Sequence, residues 1–466
     1  MGQTRPAFAQ GRTWQTAHDL LFSTITCLGR RTITGLICSQ GSQYCDWSKV
    51  YRLFEKERFD GDKLFAPIRT AVCSTLSENM PVVASLDDTI LRKVGKKIAG
   101  TSWRYDPTGP AFRPNFVWAQ RFVQMSLVAP TQGFGSAGRG IPVDIVHAPT
   151  PRKPRKGASE EEWTSYRDKQ ATMRVSKVGA GRILHLRKIL DEDPVSNKRQ
   201  LIVGVDGSYT NREVFRSIPE STTLIGRIRK DARLFEPPGS RDAGRGRKRL
   251  YGTEMSTPEQ IRQDETKPWQ QVAAFAAGQR WLFDVKVIGP VRWKAAGGRD
   301  LQLVIIRPIS YRPSHGSRLL YRDPAYLICS DPNLPIDQLL QSYLWRWEIE
   351  VNFRDEKTIM GTGQAQVRTT AAVETTTEFA VASYAMLHAA ALTCGLKTTG
   401  VPLPKWRKRK PPQRCSTNQL ISQVRAELWG KALGTNFDGF TEHQQIQRTL
   451  QNSNTTMGSA VLYASG

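Results

Sequence analysis

Between positions 343 and 357 the chain reads YLWRWEIEVNFRDEK. Tyr343, Arg346, Glu350 and Lys357 stand at offsets of 0, 3, 7 and 14, and such offsets return to one side of an α-helix. One stripe then carries a carboxylate flanked by two cations and a phenol, with Trp347 almost in line. The alternative is a solvated face with a few ordinary salt bridges, the usual fate of a charge run. Other acids that the fold could bring to Glu350 decide between the two.

Two apolar runs end in such acids. PVVASLDDT, at 81–89, runs into Asp87 and Asp88, and RQLIVGVDGSYT, at 199–210, runs into Asp206. Both read as buried strands. A carboxylate at the end of an apolar strand costs free energy unless its charge is compensated, and a like-charged neighbour raises that cost. Mg²⁺ takes hard oxygen ligands and is the usual remedy. If Glu350 points to the same place, three acids can hold two Mg²⁺ ions and support phosphodiester chemistry. Three unrelated solvated acids would fit the spacing too.

The strand ending SLDDT, the strand LIVGVDGSYT and the helix YLWRWEIEVNFRDEK together resemble the DDE transposases of bacterial insertion sequences. The likeness is to the group with a Tyr-x2-Arg-x3-Glu-x6-Lys signature, and it covers about 80–395. It implies an RNase H-like fold and Mg²⁺-dependent DNA cleavage and strand transfer, with Mn²⁺ able to substitute. By position it makes Asp88, Asp206 and Glu350 the catalytic metal ligands. Asp88 is preferred to Asp87; strand alternation allows only one of them to join. Tyr343, Arg346 and Lys357 would contact DNA phosphates near the cut. Trp347 would stack on an unpaired base or pack in the core. The implied partners are terminal inverted repeats and target DNA, with a homodimer on the DNA. A nuclease that does not join strands and a DNA-binding protein that has lost catalysis are the rival readings.

The elements that must position these residues follow from the pattern. The reading is a mixed α/β sheet flanked by helices, RNase H-like, with an N-terminal helical domain and a β-rich insertion. Residues 1–78 read as helical and DNA-binding, or else as a packing cap, with Arg30, Arg31, Lys49 and Arg52 making them basic. Residues 79–230 hold the first part of the catalytic core, with strands at 81–89, 115–130, 141–149, 199–210 and 221–229 and a long helical stretch at 159–193. Residues 231–335 read as a basic loop and the β-rich insertion. Residues 336–398 return to the core with the Glu350 helix. Residues 399–466 are a basic arm, KWRKRK at 405–410, and a frayed tail.

Composition agrees with a polyanion as partner. Among 466 residues, 67 Lys and Arg against 42 acids give a net charge of +25, which favours nucleic acid. No apolar run is long enough to span a membrane, and no secretory leader is expected. Seven scattered cysteines without CxxC suggest a reducing, cytoplasmic setting, and the resemblance implies a bacterial, nucleoid-associated one. Six isolated histidines have no zinc spacing, and His185 and His388 read as packing or surface residues. GFGSAG, at 133–138, fits a dinucleotide fingerprint but precedes a strand, so it is rejected. LRKVGKKIAG, at 91–100, is either a phosphate track or a solvated loop.

Overall fold

Apolar runs become strands here, and nearly all of them collect in one sheet. The computed structural model describes residues 2–106, 109, 112, 115–239, 249–312, 314–396, 414–430, 432 and 453–464. Four helices come first: α1 (Gly11–Thr26), α2 (Ile33–Ser39), α3 (Ser48–Glu55) and α4 (Gly61–Cys73). An antiparallel group follows, of β1 (Val82–Arg92), β2 (Ser102–Tyr105), β3 (Phe116–Pro130) and β4 (Gly138–His147). Helices α5 (Glu160–Thr172) and α6 (Val175–Glu192) lead to β5 (Leu201–Val205), and α7 (Arg212–Arg216) leads to β6 (Thr222–Arg227). Next come β7 (Leu234–Phe235), α8 (Pro258–Gln263), β8 (Gln270–Ala276), β9 (Gln279–Trp293) and β10 (Asp300–Ile306). A small ribbon of β11 (Ser310–Tyr311) and β12 (Leu320–Tyr321) precedes β13 (Ala325–Cys329). The last helices are α9 (Ile336–Trp345), α10 (Trp347–Thr358), α11 (Thr370–Thr393), α12 (Thr417–Trp429) and α13 (Ser453–Leu462).

The main sheet runs β2-β3-β1-β5-β6-β13-β10-β9-β7, with β4 on β3 and β8 on β9. At its centre β1, β5 and β6 are parallel, and β3 is antiparallel to β1. All five residues of β5 are buried, as befits a strand covered on both faces. α6 packs against β1 and β3, while α9, α10 and α11 pack against β1, β4, β5 and β6. This is a mixed α/β fold with helices flanking a large sheet, an arrangement compatible with RNase H-like proteins.

Several expectations change in detail. The stretch at 159–193 is two helices, and α5 starts with a Ser159–Glu162 capping box but buries nothing. The β-rich insertion does not stand apart. Cys329 of β13 pairs with Ile225 of β6, so its strands extend the central sheet. The buried run TTLIG of β6 needs a strand on its open edge, and β13 supplies it. The N-terminal helices share one continuous hydrophobic core with the sheet. α4 packs on α11 and β4, and Arg69 reaches the Val143 carbonyl at 3.2 Å. Arg31 is buried and donates through Nε to the Thr24 carbonyl at 2.8 Å, so its charge does not face solvent. Residues 453–462, expected to fray, form α13 against α12, where Arg425 donates to the Ala464 carbonyl at 2.7 Å. The basic arm at 405–410 and most of the Arg-rich loop, residues 240–248, lie outside the described residues.

GFGSAG is the turn between β3 and β4, with Gly133 at φ 84° and Gly135 at φ 77°. His185 pairs with Asp62 at 2.8 Å and His388 is buried against Thr417 at 3.2 Å. Among the described residues no helix is long and apolar enough to cross a membrane.

Candidate functional site

β5 and β6 end side by side, while their parallel neighbour β1 runs on past them to Arg92. Leu86 lies opposite Val205, and Val205 opposite Gly226. The next residues in the three chains are Asp87, Asp206 and Arg227. Gly204 shows which face they use: a Cβ there would sit 3.3 Å from the Cβ of Arg346. Ser85 is opposite Gly204, so alternation sends Asp87 and Asp206 to that same face, toward α9 and α10.

The helical stretch at 336–358 is not one helix. It breaks at Arg346, which caps both α9 and α10 with φ −51° and ψ −31°. Two tight bonds, Arg346 N to Tyr343 O and Ile349 N to Arg346 O, both 3.1 Å, bridge the break. Because Arg346 keeps helical dihedrals, the stripe of Tyr343, Arg346, Glu350 and Lys357 survives the break. Missing side chains let this segment approach the sheet. At Gly140 of β4 a Cβ would lie 2.9 Å from that of Glu348. Replacing Gly204 with Val should therefore lift Arg346 off the sheet and cost about 1–3 kcal/mol of stability, the usual range for overpacking. The denaturation midpoint checks this, with Gly204→Ala falling between Val and wild type.

Arg346 is the electrostatic centre of the site. Its Nη1 is 3.4 Å from Asp87 Oδ2 and 3.9 Å from Glu350 Oε1, which caps the separation of those two oxygens at about 7.3 Å. Burial pushes the Asp87 carboxyl up to about 8 against the pull of Arg346, and neighbouring Asp88 and Glu350 add to the rise. Glu350 is 41% exposed, so the site opens to solvent on that side. Burial also raises Tyr343, while Arg346 and Arg227 draw it down and Asp206 pushes it up. The Arg346 guanidinium carbon is 5.7 Å from the Tyr343 ring centre. Lys357 is lowered by burial and supported by Glu356 and Glu350, with its Nζ 5.8 Å from the Phe353 ring centre. Trp347 is 64% exposed and is not a core residue.

Asp88 is not brought to this group. The pleat turns it to the opposite face, where Tyr209 Oη donates to it at 3.1 Å and Arg121 Nε lies 3.3 Å away. The carboxylate beside Glu350 and on the face of Asp206 is that of Asp87. Sequence reasoning also overlooked Arg227. It lines the cleft of Asp206, with Thr210, Arg229 and Trp293. The available signal was register: a parallel partner one strand over from Asp206 ends in GRIR. In LRKVGKKIAG the cations divide. Lys93 is buried and donates to the carbonyls of Gly363 and Ala365 at 2.7 and 2.8 Å, and Arg92 pairs with Asp106. Lys96 and Lys97 are exposed.

Asp87, Asp206 and Glu350 are hard oxygen donors of the kind Mg²⁺ takes. Asp87 in particular is buried with Arg346 as its cationic partner, and a divalent cation fits the chemistry of this set. Among the described residues no three acids, histidines or cysteines are already gathered to hold an ion. The Arg346 guanidinium stands between Asp87 and Glu350 in that role.

Comparison with known families gives one finding. The family described as "DDE superfamily endonuclease" matches residues 6–293. The match contains Asp87, Asp88 and Asp206 and ends before the 343–357 stretch. No curated protein matches the chain.

Proposed function

Since the chain belongs to the DDE superfamily of endonucleases, we propose that it is a transposase that cleaves the ends of its own element and joins them to target DNA. Enzymes of this superfamily act on DNA and generally use divalent metal ions, typically Mg²⁺. The observation that carries the reading is the shared face of Asp87, Asp206 and Glu350, from the middle of one strand, the end of its parallel neighbour and one helix.

In this reading those three carboxylates hold two divalent ions. Bound there, the ions supply Lewis-acid stabilisation to the attacking and leaving oxygens of a phosphodiester. The protein's own groups do the rest. Arg346 and Lys357 meet backbone phosphates, the first by a planar fork and the second as a point charge. Tyr343 donates to a phosphate oxygen through its phenol, whose pKa burial raises further. Arg227, beside Asp206, adds a further phosphate contact. Exposed Trp347 stands free to stack on a base at the cut. Two copies of the chain would pair the two ends.

The test is incubation of purified protein with the DNA that flanks its gene and Mg²⁺, mapping products to the nucleotide. Cuts at the element boundary, and covalent joining when pre-cut ends are supplied with target DNA, are the expected result. Cleavage without joining would make the protein an endonuclease alone, and no cleavage of either substrate would sink the proposal.

A further inference from the structure

One surface beside the carboxylates has no role in this chemistry. β2 pairs with the start of β3, setting Trp103 opposite Trp118 and Tyr105 opposite Phe116. Alternation places all four rings on one face of the hairpin. Along β3 that face continues through Gln120 and Phe122 to Gln124, which lies opposite Asp87. Gln124 Nε2 donates to Glu356 of α10 at 3.0 Å. The rings therefore extend the side of the sheet that carries Asp87 and is covered by the Glu350 helix.

These rings are not core. Trp103 is 66% exposed, and Tyr105 and Phe116 are each 58% exposed. They meet only edge-on, at 5.6 Å for Trp103 with Trp118 and 6.3 Å for Tyr105 with Phe116. In each such pair one ring's edge meets the other's face, yet more than half of Trp103, Tyr105 and Phe116 stays exposed, and an exposed apolar patch of this kind marks an interaction site.

Positive charge frames the patch. Trp118 Nε1 donates to the Gly95 carbonyl at 3.2 Å, which holds the loop of exposed Lys96 and Lys97 against the rings. From α10, Lys357 feels the charges of Arg92 and Asp106, the latter being the residue that follows β2. An apolar protein partner would have no use for these cations. Exposed aromatic rings beside lysines suit nucleotides whose bases are unpaired, because every base offers a π-face and every linkage a negative charge.

We propose that the β2–β3 hairpin is a stacking platform for unpaired nucleotides of the DNA next to the scissile bond. The proposal rests on the DNA-cleaving reading of the adjacent site. Trp103, Tyr105 and Phe116 take the bases, and Lys96, Lys97 and Lys357 take the phosphates.

The test compares full-length wild type with a Trp103→Ala, Tyr105→Ala double variant, without divalent metal, by fluorescence anisotropy. The probes are labelled oligo-dT of about 16 nucleotides, the upper range for a single-strand platform, and a blunt duplex of equal length. The variant should bind oligo-dT about tenfold or more weakly and duplex within about twofold of wild type, since stacking needs unpaired bases and duplex affinity comes from phosphates. A Trp103→Phe, Tyr105→Phe variant should recover oligo-dT binding. Equal oligo-dT affinity in the alanine variant overturns the proposal, as does an equal loss on both probes. A change in oligomeric state of the free variant also overturns it, because the rings would then serve a protein interface. Failure of wild type to bind either probe overturns the DNA reading with it.

Discussion

Asp87→Asn should lower Mg²⁺-dependent DNA cleavage about a thousandfold or more, while Asp88→Asn lowers it less than about tenfold. The contrast follows from the pleat. Asp87 shares a guanidinium with Glu350 and a face with Asp206, and on the proposed reading its loss would remove a ligand charge worth several kcal/mol in the transition state. Asp88 lies on the other face with Tyr209 and Arg121. Its loss frees a half-buried arginine and a tyrosine hydroxyl, so the expected defect is a lower melting temperature. Glu350→Gln should match Asp87→Asn in cleavage and still bind element ends. Gel-shift binding and product mapping on the same preparations separate the two effects. Full cleavage by Asp87→Asn with none by Asp88→Asn would reverse the assignment.

Glu356→Gln should stabilise the protein at pH 8.5 on the order of 3 kcal/mol, and by much less at pH 5. Glu356 is 2% exposed, and Gln124 gives it a single hydrogen bond. Burial raises its carboxyl from 4.5 to about 8, only partly offset by that bond and by Lys357, with Asp355 adding to the rise. The folded state therefore holds a proton that the unfolded chain releases near 4.5. Stability contributed by this group is intact below 4.5, declines as pH rises toward 8 and is fully lost above it. A glutamine keeps the shape of the protonated acid and removes the dependence. Urea midpoints for both proteins between pH 5 and 8.5 give the comparison, and parallel curves would refute the linkage.

Much of this arrangement is legible in the sequence. LIVGVD is an unbroken apolar run, so a buried strand ending at Asp206 was legible, and β5 is that strand. The spacing from Tyr343 to Lys357 placed Glu350 between two cations, as it stands near Arg346 and Lys357. The choice between Asp87 and Asp88 was not legible. Alternation says that they diverge, but which one meets α10 depends on where Gly204 and Arg346 dock, a contact over a hundred residues of chain. The break at Arg346 was hidden too, because arginine favours helix and the segment there is held close to the sheet at Gly140 and Gly204, contacts distant in sequence. The union of the insertion with the central sheet rests on β13 pairing with β6, a long-range register that no local pattern encodes.

That union has a mechanical consequence. The strands are hydrogen-bonded in sequence from β1 through β5, β6 and β13 to β10 and β9, with a register shift between β10 and β9 at Leu301–Leu303. A region built this way is a stiff outrigger and cannot swing as a hinged lid, since rotation would shear backbone bonds between Ile225 and Cys329 and their neighbours. Any closing movement around bound DNA must then come from the nucleic acid bending, or from side chains and loops along the rim.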